Sequence, residues 1–233
     1  LPAFAFSGLG AALLVCGVVT SAVAGFLLLR RSAQPSDIAE DQSAVVTSAQ
    51  AEALAVLESL AFEAPDPDNA LLSEAQGLVE LLSTDGSWVA LQPGELLKVG
   101  QRIRTRELSS AVLTFFDGSQ ARLGANTEVS LDALDGEQAG ASRVVQLTQW
   151  IGESDHNVVP SDDPASQYQV RTPSGTGTAQ GTSFNVLVTS TLVVRFSVDE
   201  GSVAVTSLNI TVVVVAGQST TIEAGNQPDD PVF

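Results

Sequence analysis

The sequence predicts one N-terminal transmembrane helix, a short acidic helical neck and then an all-β domain, either a mostly antiparallel sandwich or a solenoid-like fold. Three observations predict this order. Residues 3–29 carry no charge, residues 32–97 contain twelve acidic residues and no basic one, and short Val-, Thr- and Phe-rich segments alternate with turns from residue 87 onward. We therefore divide the chain into a transmembrane anchor (1–31), an acidic helical linker (32–84), a β domain (85–225) and a tail (226–233).

The apolar stretch at residues 3–29 is long enough to cross a bilayer. At 1.5 Å per residue such a helix measures about 40 Å, more than the roughly 30 Å hydrocarbon core. Gly17, Ser21 and Gly25 recur at every fourth position and form a ridge of small residues, against which we expect another helix to pack closely. Arg30 and Arg31 follow the helix, and by the positive-inside rule they favour a cytoplasmic location for the rest of the chain.

The linker shows helical periodicity. Residues 41–62 place valine, alanine and leucine at helical spacing, and Pro65 and Pro67 end the segment. A second short helix is predicted over residues 69–82, with leucines at its apolar positions. The acidic surface of this linker is either a solvated face or a docking surface for a basic partner.

The β domain is predicted from turn signals at close spacing, such as Asp117-Gly118 and Glu200-Gly201. Longer loops are predicted over residues 134–140 and 153–166. Candidate strands cover residues 111–116, 144–147, 168–172, 183–188, 192–198, 202–206 and 210–215.

Charge and residue usage exclude several classes of function. The chain has a formal net charge of −17, which repels nucleic acids and anionic lipid surfaces. Cys16 is the single cysteine, so neither a disulfide framework nor a thiolate zinc site is expected. His156 is the single histidine, and it falls in a predicted polar loop. We therefore expect no catalytic residue, no cofactor and no metal site.

A glycine-rich stretch at residues 172–184 raises the question of phosphate binding. Its glycines are spaced G-x-G-x-x-x-G, which differs from the dinucleotide-binding fingerprint, and the segment after it reads as a strand and not as a helix. The stretch is therefore expected to be a structural turn between strands.

Short motifs follow one another through the β region in a fixed order. They are PGEL at 93–96, IRT at 103–105, AVLTFFDGS at 111–119, RL at 122–123, NTE at 126–128, VVQL at 144–147, VRTP at 170–173, GTSFNV at 181–186, EGSVAV at 200–205 and AGQ at 216–218. In this order they resemble the FecR-type domain, the sensor portion of ferric-citrate-type envelope regulators. The resemblance covers residues 88–223 and implies an extracytoplasmic β domain, against the indication from Arg30 and Arg31.

The resemblance leaves two functions open. Regulators of this family carry a cytoplasmic anti-sigma segment ahead of the membrane helix, and no such segment precedes residue 3 in this sequence. On that ground the sequence favours a non-catalytic, single-pass accessory or structural subunit of a larger membrane complex, such as a respiratory or photosynthetic electron-transfer complex, with other membrane-protein subunits as partners. The alternative is an envelope signal sensor or regulator of the FecR anti-sigma type.

A basic stripe is the candidate docking site. Arg102, Arg104 and Arg106 alternate with Ile103 and Thr105, so in a strand the three arginines point to one face. This face either pairs with acidic groups of the same chain, which lie in the acidic linker (32–84) or are Glu95 and Glu107, or docks an acidic partner.

Overall fold

The computed structural model describes residues 65–136 and 142–233. The described residues all belong to one compact unit of the chain, Glu63–Phe233. The predicted anchor, its Gly17, Ser21 and Gly25 ridge, and the predicted helix at 41–62 lie outside the described residues. Within the described ranges, no helix is long and apolar enough to cross a membrane.

Sixteen strands make up the described part of the chain. They are β1 (Asn69–Gln76), β2 (Val79–Leu82), β3 (Trp88–Ala90), β4 (Leu96–Lys98), β5 (Arg102–Thr105), β6 (Ser110–Thr114), β7 (Gln120–Leu123), β8 (Glu128–Asp135), β9 (Val144–Asn157), β10 (Gln167–Arg171), β11 (Thr176–Ala179), β12 (Ser183–Val188), β13 (Val194–Glu200), β14 (Ser202–Ser207), β15 (Ile210–Val215) and β16 (Ser219–Ile222).

The strands form two sheets that share the long strand β9. The first sheet runs in the order β4-β1-β6-β7-β9-β12-β13-β16. The second runs in the order β3-β2-β5-β8-β9-β10-β11-β14-β15. Every pairing is antiparallel except that of β9 with β10. The predicted all-β, mostly antiparallel domain is therefore confirmed for the described residues.

The core lies between the inward faces of the two sheets. Strands alternate buried and outward residues, as in β12, where Phe184, Val186 and Val188 are buried. Phe115, Tyr168 and Phe184 meet edge to face, with ring centroids 5.9 Å and 6.3 Å apart. Burial of each such side chain stabilises the fold by about 1.5–3 kcal/mol. This energy fixes the strand register, because a shift by one residue would turn these side chains to the outer face.

The helix predicted over residues 69–82 is wrong. This segment forms β1 and β2, and Gly77, with φ +73°, lies between them. Ala70 and Leu72 are buried at alternate positions, and β1 pairs with both β4 and β6. Tertiary pairing has overridden the helical propensity of the leucines and glutamates. β structure thus begins before residue 85.

Both long loops predicted in the β region begin later in the structure than in the sequence prediction. β8 continues to Asp135, and β9 continues to Asn157. The second half of β9 is held by β7 on one side and β12 on the other. Its polar residues look like a loop in the sequence because alternate side chains point out to solvent. His156 consequently lies in a central strand, and the prediction of a loop for it is wrong.

The glycine-rich stretch is a hairpin followed by a strand. The Thr172 amide donates to the Gly175 carbonyl at 2.8 Å, which closes the turn between β10 and β11. A Cβ on Gly177 would lie 2.5 Å from Cε1 of Phe196, so this glycine allows β11 to approach the opposite sheet. Gly181 has φ +76°, a conformation that other residues rarely adopt. The stretch is architectural.

Candidate functional site

The arginine stripe occupies the outward face of β5. Arg102 and Arg104 point outward, whereas Ile103 and Thr105 are buried on the other side of the strand. Arg106 follows the end of the strand, and half of its side chain is exposed. The strand alternation therefore places these guanidinium groups on one face, as the sequence spacing predicts.

Two glutamates from neighbouring strands neutralise the stripe. Glu80 in β2 accepts hydrogen bonds from Nε of Arg104 at 2.8 Å and from Nε of Arg106 at 2.7 Å. Glu128 in β8 forms an ion pair with Arg102. The hydrogen bond from Arg104, together with the two nearby positive charges, holds the pKa of Glu80 below its ordinary value.

One of these two partners, Glu80, belongs to the acidic linker that the sequence suggested, and the other, Glu128, does not. The antiparallel registers bring Glu80 and Glu128 directly opposite Arg104. Among the described residues, the ion pairs of the stripe are formed with these two carboxylates and not with Glu95 or Glu107, the candidates outside the linker. Glu80 was expected only as one residue of a helical linker, and it lies in a strand instead. Glu128 was not among the predicted partners, because its contact depends on the register of β5 with β8.

Two tryptophans flank the arginines. The guanidinium carbon of Arg104 lies 3.8 Å from the ring centroid of Trp88, and that of Arg102 lies 4.5 Å from the ring centroid of Trp150. Trp150 donates from Nε1 to Ser130 Oγ at 3.3 Å and remains 42% exposed. Exposed stacking of this kind is worth about 0.5–1 kcal/mol per pair and holds the long arginine side chains in place.

We call this surface the Arg–Trp strip; it comprises Trp88, Arg102, Arg104, Arg106 and Trp150, with the carboxylates of Glu80 and Glu128. Tryptophan and arginine are the residue types that dominate binding energy at protein interfaces. A surface groove of about 180 Å³ adjoins it and is lined in part by Arg104, Arg106 and Glu128. The strip thus has the chemistry of a protein-docking surface.

A second polar cluster lies in the core around His156. Nε2 of this ring is 2.7 Å from Ser154 Oγ, and Nδ1 is 2.8 Å from the Tyr168 hydroxyl. The ring also stacks on Phe184 with centroids 4.8 Å apart. Burial lowers the pKa of His156 to about 3, so the ring is neutral at physiological pH.

The hydrogen bonds around Ser154 fix the tautomer of this histidine. Gln149 donates its amide N–H groups to the Gly152 and Val186 carbonyls, so its Oε1 accepts the Ser154 proton at 2.6 Å. Ser154 must then accept from His156, whose Nε2 carries the proton, and Nδ1 accepts from Tyr168. A histidine that donates to a serine cannot remove its proton, so this cluster is arranged as a structural network and not as a catalytic pair.

Metal binding would need several acidic, histidine or cysteine side chains close together in space. In residues 65–136 and 142–233, no three acidic, histidine or cysteine side chains come together as a metal site. Asp132, one of the acidic residues of β8, instead accepts hydrogen bonds from Ser130 and Thr148.

Comparison with known proteins gives the family of the β domain. The family model described as "FecR protein" matches residues 101–204, which run from β5 into β14. Two crystal structures of a "putative anti-sigma factor" from Parabacteroides distasonis ATCC 8503, at 2.50 Å and 1.65 Å resolution, are similar with 22% and 21% identity and TM-scores of 0.45 and 0.43. Each match covers 55% of this chain and 59% of the other, so the similarity spans less than two thirds of those chains. A search of curated proteins gave no match.

The fold defines an all-β domain of two sheets that share one strand. More specifically, residues 101–204 match the FecR family model, in agreement with the order of the sequence motifs. This finding overturns the accessory-subunit hypothesis, because it favours the regulatory family over a component of an electron-transfer complex. The hypothesis was based on the start of the sequence. The start of the sequence is no argument against a family match that lies within the β domain.

Proposed function

We propose that this protein is an envelope signal regulator of the FecR type. The observation that carries the proposal is the family match over residues 101–204, which spans the centre of both sheets. In this proposal the β domain acts by binding another protein and performs no chemistry. The neutral His156 ring, with both of its nitrogens hydrogen-bonded, supports a structural role for this buried polar cluster.

The proposed location of the β domain is outside the cytoplasm, with a single helix at residues 3–29 as its membrane anchor. The support is the FecR-type resemblance together with the uncharged length of that segment. A regulator placed in this way receives its signal on the β domain and passes it along the chain to the other side of the membrane.

The Arg–Trp strip is the proposed docking surface for the signalling partner. Among the described residues, the hydrogen bonds that Arg104 and Arg106 donate use only Nε. An arginine has five N–H donors, so the terminal amino groups remain available to a partner carboxylate. Glu80 and Glu128 hold the guanidinium groups in position for that contact, and the exposed Trp150 supplies apolar area beside them.

Transcript profiling of a deletion strain tests the regulator proposal. Deletion of the gene should change the expression of a small, defined set of genes, and complementation with the full chain should restore it. Complementation with an Arg102→Ser, Arg104→Ser, Arg106→Ser variant should fail, whereas Arg122→Ser, which changes an exposed arginine of β7, should succeed. Unchanged transcripts in the deletion strain, under conditions in which the parent strain makes the protein, would overturn the proposal.

A further inference from the structure

Three of the four edge strands in the described sheets are protected against pairing with another chain. β4 has three residues and ends in Lys98, and β3 has three residues and is followed closely by Pro93. The C-terminal tail covers β16, where the Ser219 amide donates to the Val232 carbonyl at 2.8 Å and the Val232 amide donates back at 2.9 Å. Short length, a lysine and a covering segment are the usual means by which proteins protect sheet edges.

Within residues 65–136 and 142–233, the fourth edge, β15, has none of these protections. Its sequence is ITVVVV, six residues without a charge, a proline or a glycine. Val213 is 57% exposed and Val215 is 43% exposed, and on the described residues β15 pairs only with β14. An open apolar edge of this kind is a template for another strand, and a protein that keeps one is expected to cover it with a partner.

The backbone groups that β15 leaves open can be identified from the hairpin. Leu208 and Asn209, both with positive φ, form a two-residue turn, and the Ala216 amide donates to the Gly201 carbonyl at 3.1 Å. Because hydrogen bonding alternates along an antiparallel pair, Ile210, Val212 and Val214 bond to β14. The N–H and C=O groups of Thr211, Val213 and Val215 therefore point to the open edge.

One of those three residues is already satisfied within the chain. The Gln218 side chain accepts from the Val215 amide at 3.3 Å, and the Gln218 amide donates to the Val215 carbonyl at 2.9 Å. Among the described residues, this leaves the two N–H and two C=O groups of Thr211 and Val213. They lie symmetrically on either side of Val212.

We propose that a second copy of this chain pairs with β15 in antiparallel orientation, with the two-fold axis at Val212. In that register Thr211 exchanges both of its backbone hydrogen bonds with Val213 of the second copy, and Val213 exchanges both with Thr211 of the second copy. All four open groups of each strand are satisfied by the same four hydrogen bonds. This self-complementarity is what a two-fold interface requires.

Charge is the reason a second copy fits this edge. A chain with a net charge of −17 repels itself wherever carboxylates face one another. β15 has no carboxylate, and the outward-facing residues of the next two strands are Ser202, Ala204 and Thr206 in β14 and Thr176 and Thr178 in β11. Pairing therefore brings no acidic side chains opposite each other, and it buries the exposed part of Val213.

Sedimentation of the full chain in mild detergent, from nanomolar to high-micromolar concentration, tests the proposal. A single strand pair is smaller than a standard interface, so we expect a dimer that dissociates in the micromolar range. Val213→Lys, which adds to β15 the protection that Lys98 gives to β4, should shift dissociation at least tenfold toward the monomer. Val99→Lys, at a similarly exposed valine outside β15, should leave the dimer unchanged.

Cysteine cross-linking tests the register independently and does not depend on whether the lysine variant folds. In a Cys16→Ser background, Val212→Cys should form a disulfide-linked dimer on mild oxidation, because the two copies of residue 212 face each other across the axis. Ile210→Cys should not, since its two copies are about 14 Å apart along the paired strands. A monomer at every concentration, a dimer insensitive to Val213→Lys, or faster linking through residue 210 than through residue 212 would each overturn the proposal.

Discussion

The Tyr168 hydroxyl lies 2.8 Å from Nδ1 of His156, and this contact joins β10 to β9 inside the core. Both groups are neutral in the folded chain. Burial lowers the pKa of His156 to about 3, and burial together with the Asp117 charge raises the pKa of Tyr168 well above its ordinary value. A charged imidazole would be costly at this buried position, so the fold is most stable while the histidine stays unprotonated.

The first prediction concerns acid stability. Below pH 6.5 the unfolded chain takes up a proton on His156 that the folded chain does not accept until about pH 3. A lowered histidine pKa thus contributes stability that is complete above pH 6.5 and is lost as the pH falls toward 3. The loss is about 1.4 kcal/mol per pH unit, or about 2 kcal/mol between pH 7 and pH 5.

Urea unfolding of the wild type and of His156→Gln at several pH values measures this contribution. Glutamine does not titrate, so the variant should lose about 2 kcal/mol less than the wild type between pH 7 and pH 5. The many carboxylates are common to both chains and cancel in the comparison. Parallel pH dependence in the two proteins would show that His156 is not held neutral.

The second prediction concerns the close approach of the two sheets at Gly177. Its missing Cβ would lie 2.5 Å from Phe196, a fully buried side chain. Gly177→Ala should therefore lower the free energy of unfolding by about 1–3 kcal/mol through overpacking. Thr178→Ala, at the next and outward-facing position, should change it by less than about 0.5 kcal/mol. The measurement is the free energy of unfolding of the two variants and the wild type in denaturant. An equal loss in both variants would show that β11 is sensitive to any substitution and that close packing at Gly177 is not the cause.

The sequence predicted most of the β domain because its strands carry their pattern locally. Residues 183–186 alternate polar and apolar side chains and lead into a Val-Leu-Val run, and β12 has the predicted bounds, Ser183–Val188. The helix prediction for residues 69–82 was wrong because the leucines of this segment suit either a helix or a strand. The choice depends on pairing with β4, β5 and β6. The prediction of a loop at His156 was wrong for a related reason. The outward-facing residues of β9 are polar, so its sequence resembles that of a loop although β9 is a central strand.

The candidate site, too, could be predicted only in part from the sequence. Alternation along one strand sufficed to place Arg102 and Arg104 on one face. Their partners Glu80 and Glu128 are far from them in the sequence, one before β5 and one after it, so these contacts depend on the registers of β2 and β8. Local periodicity gives the direction of a side chain, whereas its neighbours across a sheet depend on topology.

The third prediction concerns the location of the β domain. If it lies outside the cytoplasm, protease added to intact spheroplasts should digest it, whereas a cytoplasmic marker protein should survive. The two arginines that follow the predicted helix, Arg30 and Arg31, favour the opposite orientation, so the experiment separates the two indications. Protection of the domain until the membrane is permeabilised would place it inside.

The fourth prediction concerns the Arg–Trp strip as a docking surface. Replacement of Arg102, Arg104 and Arg106 by serine should weaken binding of the signalling partner, because each charge-assisted hydrogen bond lost at a desolvated contact costs about 1.5–3 kcal/mol. One such bond corresponds to a loss of affinity of about 10- to 150-fold. The measurement is the amount of partner that stays bound to the tagged full chain in mild-detergent extracts as the salt concentration rises.

The serine variant also leaves Glu80 and Glu128 without their cations, so its fold must be checked separately by its denaturant melt. Trp150→Ala is the companion variant, because it removes apolar area from the strip and breaks no ion pair of its own. It should weaken retention of the partner with little loss of stability. Arg122→Ser is the matched control, since this exposed arginine lies in β7 and its guanidinium group is 3.9 Å from the exposed Glu74. If the partner is retained equally by the wild type, the strip variants and the control, the docking surface lies elsewhere on the β domain.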